Sequence, residues 1–270
     1  MLRRFLVLAA VVIAASSLLT APAQATSRHG GYLALGDSVA FGYRPEAGED
    51  YPNAANFSGY AEKYAALRGL RLANASCPGE TTGSLLVVTA PSNGCENGYR
   101  LAYPLHVSYA GSQIGYAVQY LRTHRDTRLV TLTIGANDMF LCQDNTPDHC
   151  TGASFTAALN QVSRNLASIL SAVRAQYRGD VVLVSYYSLD YRDPTQVAQV
   201  KAINAALTQV TRRYHGKIAD GFTAFLLASL RTGGDPCAAG LLVKLSTGGC
   251  DVHPSAAGHR ALTAALAFAH

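Results

Sequence analysis

Leu129-Val130-Thr131-Leu132-Thr133-Ile134-Gly135 reads as a buried strand, an aliphatic and β-branched run too short for a helix and closed by a glycine. Further along, Phe155 to Tyr177 carries Leu159, Val162, Leu166, Ile169, Leu170 and Val173 at three- and four-residue steps, the apolar stripe of a helix that covers a sheet. The alternation continues outward from this pair. Tyr32-Leu33-Ala34-Leu35, ended by Gly36-Asp37-Ser38, and Val181 to Tyr187 read as further strands, with Leu70 to Ala73 and Lys217 to Ala219 as shorter ones. Helical spacing marks Tyr60 to Leu67, Ile114 to Leu121, Val197 to Tyr214 and Ala256 to Phe268. Strands alternating with helices of this length predict an α/β fold, a parallel sheet of about five strands with helices on both faces. Such sheets place ligand chemistry in the loops at the carboxyl ends of their strands.

With 270 residues, 49% apolar and 14% charged, the chain can bury a core. No composition break, repeat or low-complexity linker divides it. The first 25 residues read separately: Arg3 and Arg4, the apolar run Phe5 to Leu19, then Ala23-Gln24-Ala25, form a secretory signal ending at Ala25. That run is short of a bilayer span and is interrupted by Ser16 and Ser17. The expectation is a signal over 1–25, one domain over 26–270, an extracellular location and no stable membrane insertion. Removing Arg3 and Arg4 leaves a net charge of +3 without basic runs, which excludes nucleic acid as an obvious partner; the modest charge fits a monomer.

Export gives the six cysteines a meaning, because thiols pair in an oxidising environment. Fifteen connectivities are open to six cysteines. The spacing suggests three local pairs, Cys77 with Cys95, Cys142 with Cys150 and Cys237 with Cys250. No C-x2-C pair exists, which argues against zinc, and the even count leaves no spare thiol as nucleophile.

Three short motifs sit where the strand-end rule asks for chemistry. Gly36-Asp37-Ser38 follows the first strand, Gly135-Ala136-Asn137-Asp138 the central one, and Asp251-Val252-His253-Pro254 precedes the last helix. Singly each is an ordinary turn with a cap. Together, and with Asn74-Ala75-Ser76-Cys77-Pro78-Gly79-Glu80-Thr81-Thr82 and His253-Pro254-Ser255-Ala256-Ala257-Gly258-His259, they make the sequence similar to the SGNH, or GDSL, hydrolases over nearly all of residues 26–270. The cysteine pattern resembles the secreted actinobacterial lipase and esterase branch with three local disulfides. The resemblance implies a three-layer α/β/α sandwich of flavodoxin-like type, the three local disulfides in order, and catalysis without metal or other cofactor. It also implies Ser38 as nucleophile, His253 as base, and Ser38, Gly79 and Asn137 as the oxyanion hole. The chemistry agrees: an imidazole takes the serine proton during attack and returns it to the leaving alkoxide, while amide donors hold the negative oxygen of the tetrahedral intermediate.

The group that orients His253 departs from the family's D-x-x-H. Cys250 stands three residues before the histidine and Asp251 only two. On a loop this shift turns the carboxylate aside, so the backbone carbonyl of Cys250 is the preferred partner for Nδ1, with Asp251 as the alternative. Asp37 and Asp138 read as loop caps, His259 as a residue of the last helix rather than a metal ligand, and the sequon Asn74-Ala75-Ser76 as incidental after a buried strand.

Residue chemistry and resemblance together lead to a secreted serine esterase or lipase acting on a small-molecule or lipid ester. Alternatives are an acetyl-sugar esterase or phospholipase on the same machinery, or a non-catalytic cell-surface binding module. An ordinary α/β-hydrolase is disfavoured, since Gly36-Asp37-Ser38-Val39-Ala40 lacks the second glycine of the nucleophile elbow. Tyr43, Tyr51, Phe57, Tyr103, Phe140 and loops 39–56, 84–108 and 139–152 are the expected pocket walls.

Overall fold

A computed structural model describes residues 30–270; the export segment read at 1–25 lies outside the described residues. Five parallel strands run in the order β2-β1-β3-β4-β5: β1 (Gly31–Gly36), β2 (Arg71–Asn74), β3 (Thr127–Thr133), β4 (Asp180–Val184) and β5 (Lys217–Ala219). A separate antiparallel hairpin pairs β6 (Leu242–Lys244) with β7 (Cys250–Pro254). The helices are α1 (Ser38–Phe41), α2 (Tyr60–Arg68), α3 (Thr82–Leu86), α4 (Arg100–Ala102), α5 (Gln113–Thr123), α6 (Ala136–Asn145), α7 (Ala153–Gln176), α8 (Pro194–Arg213), α9 (Gly221–Ser229) and α10 (Ala256–Ala269).

β1 is buried along its whole length, which explains why it reads as a continuous apolar run rather than an alternation. α3, α5, α7 and α8 pack together on one face, and α2, α9 and α10 on the other, giving three layers. The apolar stripe of α7 is the buried one: Val162, Leu166, Ile169, Leu170 and Val173 are all within 2% of full burial. The order of strand addition reverses at β1, since the chain leaves β1 for β2 on one side and returns to β3 on the other. In this strand order the crevice beyond β1 and β3 is where ligands bind.

Gly36 permits the close approach that builds this crevice. Its φ is +129°, and a Cβ there would lie 2.0 Å from the carbonyl oxygen of Thr133 on β3.

Several segments differ from expectation. The strand read over Val181 to Tyr187 ends at Val184, because β5 offers only Lys217, Ile218 and Ala219 as partners for Val182–Val184. Part of the stretch read as loop 139–152 is helix α6, and Gly221–Ser229 is helix α9, apolar on several sides and so without the one-sided period that reveals a helix. Asp251 to Pro254, read as a loop, belongs to strand β7. The disulfides are Cys77–Cys95, Cys142–Cys150 and Cys237–Cys250, and among the described residues no cysteine is free.

Candidate active site

Ser38 opens α1 directly after β1. Asp37 caps that helix, its carboxylate accepting from the N–H of Val39 at 2.9 Å and from the hydroxyl of Tyr186, which itself accepts from the N–H of Ala136 at 3.1 Å. The turn after β1 is thereby tied to the turn after β3. Asn74, at the end of β2, donates to the carbonyl of Ala40 at 2.9 Å and to Glu62 at 2.7 Å, so the sequon asparagine is a buried structural group.

His253 reaches Ser38 from the far end of the chain. Its Nε2 lies 2.8 Å from Ser38 Oγ, across 215 positions. Its Nδ1 pairs with the carboxylate of Asp251, which also accepts the backbone N–H of His253 at 3.0 Å. The group on Nδ1 is therefore Asp251, not the preferred carbonyl of Cys250. The reason lies in β7: on a strand, residues i and i+2 share a face, so a D-x-H spacing brings carboxylate and imidazole together where a loop would separate them. Burial works against ionisation of Asp251, but the hydrogen bonds it accepts from the ring and backbone of His253 outweigh it and hold its carboxyl below the usual range. An ionised carboxylate only accepts, which puts a proton on Nδ1 and leaves Nε2 to accept from Ser38.

The ring of Tyr43 packs edge-on against His253 at 4.8 Å between centroids, and Tyr187 donates to the carbonyl of Val252 at 2.7 Å, fixing β7 from two directions. Ser255 then caps α10 by accepting from Ala257 and Gly258 at 3.0 and 3.3 Å.

Gly79 and Asn137 border the same cavity as Ser38 and His253. Gly79 has φ +83° in the turn Cys77–Glu80, and a Cβ there would lie 2.3 Å from the carbonyl oxygen of Asn93. The amide of Asn137 is oriented by its partners: Nδ2 donates to the carbonyl of Glu80 at 3.0 Å, and Oδ1 accepts from Asn93 at 2.9 Å. One N–H of Asn137 remains for a ligand.

The cavity holds about 840 Å³. Of the expected walls, Tyr43, Tyr103 and Phe140 line it, whereas Tyr51 and Phe57 stand behind, Tyr51 stacked on Tyr103 at 4.9 Å and Phe57 buried against Phe41 at 5.5 Å. Leu189 and, from α8, Val200 and Ile203 form a wall that strand-end loops alone do not suggest. The i, i+3 spacing of the last two was visible, but not which face of α8 meets a cavity.

Three carboxyls stand on the Ser38 side of the site, Asp37 and Glu80 buried and Asp138 half-buried. Burial pushes Asp37 and Asp138 up to about 6 and Glu80 up to about 7. Asp138 accepts from the N–H and hydroxyl of Thr82, the first residue of α3, at 2.9 and 2.5 Å, which ties α6 to the start of that helix. His259 lies in α10, its ring nitrogens without hydrogen-bond partners; burial drives its pKa down to about 3, so it stays neutral. Cys77, Glu80 and Cys95 bring possible metal-ligand atoms within 4.8 Å, but their sulfurs are bonded to each other, leaving a metal only one carboxylate.

Known proteins place this geometry in context. No curated protein matches the sequence. Among solved structures, the phospholipase A1 of Streptomyces albidoflavus NA297 is similar with TM-score 0.58 and 20% identity, over 90% of this chain and 100% of that one. The acetylxylan esterase Axe2 of Geobacillus stearothermophilus is similar with TM-score 0.54 and 17% identity, over 88% and 93%. The lipase Lip_vut3 from a goat rumen metagenome is similar with TM-score 0.57 and 16% identity, over 88% and 96%. At these identities the likeness shows the shared fold. The model of the GDSL-like Lipase/Acylhydrolase family matches residues 34–261. By that match the chain belongs to the GDSL-like lipase/acylhydrolase family and is a carboxylic ester hydrolase.

Proposed function

We propose that the protein is a secreted serine esterase of one domain over 26–270 that cleaves esters of apolar acyl chains through an acyl-enzyme on Ser38. The observation that carries this reading is the 2.8 Å contact between His253 Nε2 and Ser38 Oγ at the wall of the cavity. His253 takes the hydroxyl proton as Ser38 attacks the ester carbonyl and passes it to the departing alkoxide. Asp251 holds the ring and offsets the imidazolium charge. The N–H groups of Ser38 and Gly79 and the free N–H of Asn137 receive the negative oxygen. Water, activated by the same imidazole, then releases the acid. Three disulfides and the export-type segment over 1–25 support an extracellular setting.

The acyl side is read from the cavity. A wall of Met139, Phe140, Leu189, Val200 and Ile203 and a volume of about 840 Å³ exceed what an acetyl group fills. Each further buried methylene contributes about 0.8 kcal/mol, about fourfold in kcat/KM, until the cavity is full. The test is a p-nitrophenyl ester series from acetate upward with wild type and Ser38→Ala. Turnover rises with chain length in wild type and falls by about a million-fold in Ser38→Ala. Undiminished turnover in the mutant refutes the mechanism, and a maximum at acetate refutes the acyl assignment in favour of an acetyl-sugar esterase.

A further inference from the structure

We propose that Glu80, through Gln113, is a positioning residue that locks the nucleophile turn and the oxyanion loop into one geometry. The proposal rests on the assignment of Ser38, Gly79 and Asn137 made above. Glu80 and Gln113 are both fully buried, and no proton transfer in the mechanism uses the Glu80 carboxyl.

The two residues tie together the neighbours of all three proposed oxyanion donors, Gln113 through its side chain and Glu80 through both its carboxylate and its main chain. Gln113 accepts the N–H of Gly36 on Oε1 at 2.5 Å and donates from Nε2 to the carbonyl of Gly36 at 3.0 Å, gripping both polar groups of the residue two before Ser38. Its remaining N–H goes to Glu80 Oε2 at 2.9 Å. The carbonyl of Gly36 also accepts the N–H of Cys77 at 3.0 Å, where the turn that presents Gly79 begins. Glu80 closes that turn, its N–H donating to the carbonyl of Cys77 at 3.1 Å, and its own carbonyl accepts Asn137 Nδ2 at 3.0 Å. Its other carboxylate oxygen accepts the hydroxyl of Ser84, which caps α3.

A buried amide left without one of its partners is costly, so the cluster resists small rotations of any member. Transition-state stabilisation depends on donors held to a fraction of an ångström, which makes such resistance a catalytic asset. The charged and titratable groups facing Glu80 are Glu96, Arg100 and Tyr109, with Cys95 Sγ at 3.6 Å from Oε2. Glu96 and Arg100 are paired at 2.7 Å, so neither claims the carboxylate.

The experiment compares Glu80→Leu, Gln113→Leu and Glu80→Gln with wild type, measuring kcat and KM separately on p-nitrophenyl butyrate alongside melting temperature. In both leucine variants kcat is expected to fall about a hundredfold with KM changed less than about twofold, since donors are misplaced while the acyl cavity is untouched. Glu80→Gln still offers an oxygen to Gln113 and an N–H to Ser84, and is expected to recover at least about a tenth of the wild-type kcat. A folded leucine variant with wild-type kcat, or a loss that lies in KM, overturns the proposal. If Glu80→Leu does not fold, Gln113→Leu with Glu80→Gln decides by the same criteria. Fluorophosphonate labelling of Ser38 in wild type is the control; its absence counts against the nucleophile assignment and leaves the Glu80 criterion separate.

Discussion

Ser38, the proposed nucleophile, and His253 come from regions held by different forces. Ser38 follows a strand buried between two others, and α1 beneath it is buried at every residue. His253 rides on a two-stranded hairpin outside the main sheet, where Cys250 to His253 are all partly exposed. Core packing fixes the first. The second relies on the Cys237–Cys250 disulfide at the root of β7, the Tyr187 hydrogen bond to Val252 and the Tyr43 ring. The acids divide in the same way: burial raises Asp37, Glu80 and Asp138 on the Ser38 side, while hydrogen bonds to His253 lower Asp251 on the hairpin. Carboxyls shift in opposite directions according to whether burial only strips away their water or hydrogen-bond donors take its place.

The largest effect on this contrast is expected at the hairpin acid. Asp251→Asn keeps the shape but no longer requires the proton on Nδ1, and kcat should fall about ten-thousand-fold. A loss below about tenfold would mean that another acceptor, such as the Cys250 carbonyl, suffices to orient the ring. Replacing Cys237 and Cys250 together by serine should lower unfolding free energy by about 2–4 kcal/mol in denaturant titrations and reduce kcat as well, because β7 carries the histidine. If kcat is retained while stability drops, hydrogen bonds alone position the hairpin, and the contrast drawn above is wrong in its emphasis.

The smallest effect concerns pH. Glu80 in the folded chain titrates at about 7, above its ordinary 4.5, so between these values the native state holds a proton that the unfolded chain has released. Its contribution therefore weakens as pH climbs from about 4.5 through about 7 and is level outside that window. Asp251 has the reverse sign, contributing above the ordinary carboxylate range and losing that contribution as pH falls through its lowered value. Melting curves at pH 5 and pH 8 should show Glu80→Gln gaining on wild type as pH rises; a parallel pH dependence would count against a raised Glu80.

Much of this arrangement was legible before the structure. β3 and α7 declare themselves through a β-branched run and a one-sided stripe, because burial on two faces and on one face impose different periods. α6 and α9 do not, the first because Asn137, Asp138, Gln143 and Asp144 break its pattern and the second because it is apolar nearly all round. The preference for the Cys250 carbonyl over Asp251 differs from the structure for a local reason: a two-residue distance from His253 has opposite consequences on a loop and on a strand.

The residues alone determined most of the elements, that the candidate residues follow the strands, and which side chains have suitable chemistry, since periodicity and functional groups are properties of short segments. Only the tertiary structure decided that Asp251 faces Nδ1, that α8 walls the cavity, and that Glu80 and Gln113 bind Gly36 to Asn137. Those contacts join residues through side-chain direction and distant packing, and neither quantity is written in the spacing of letters along a chain.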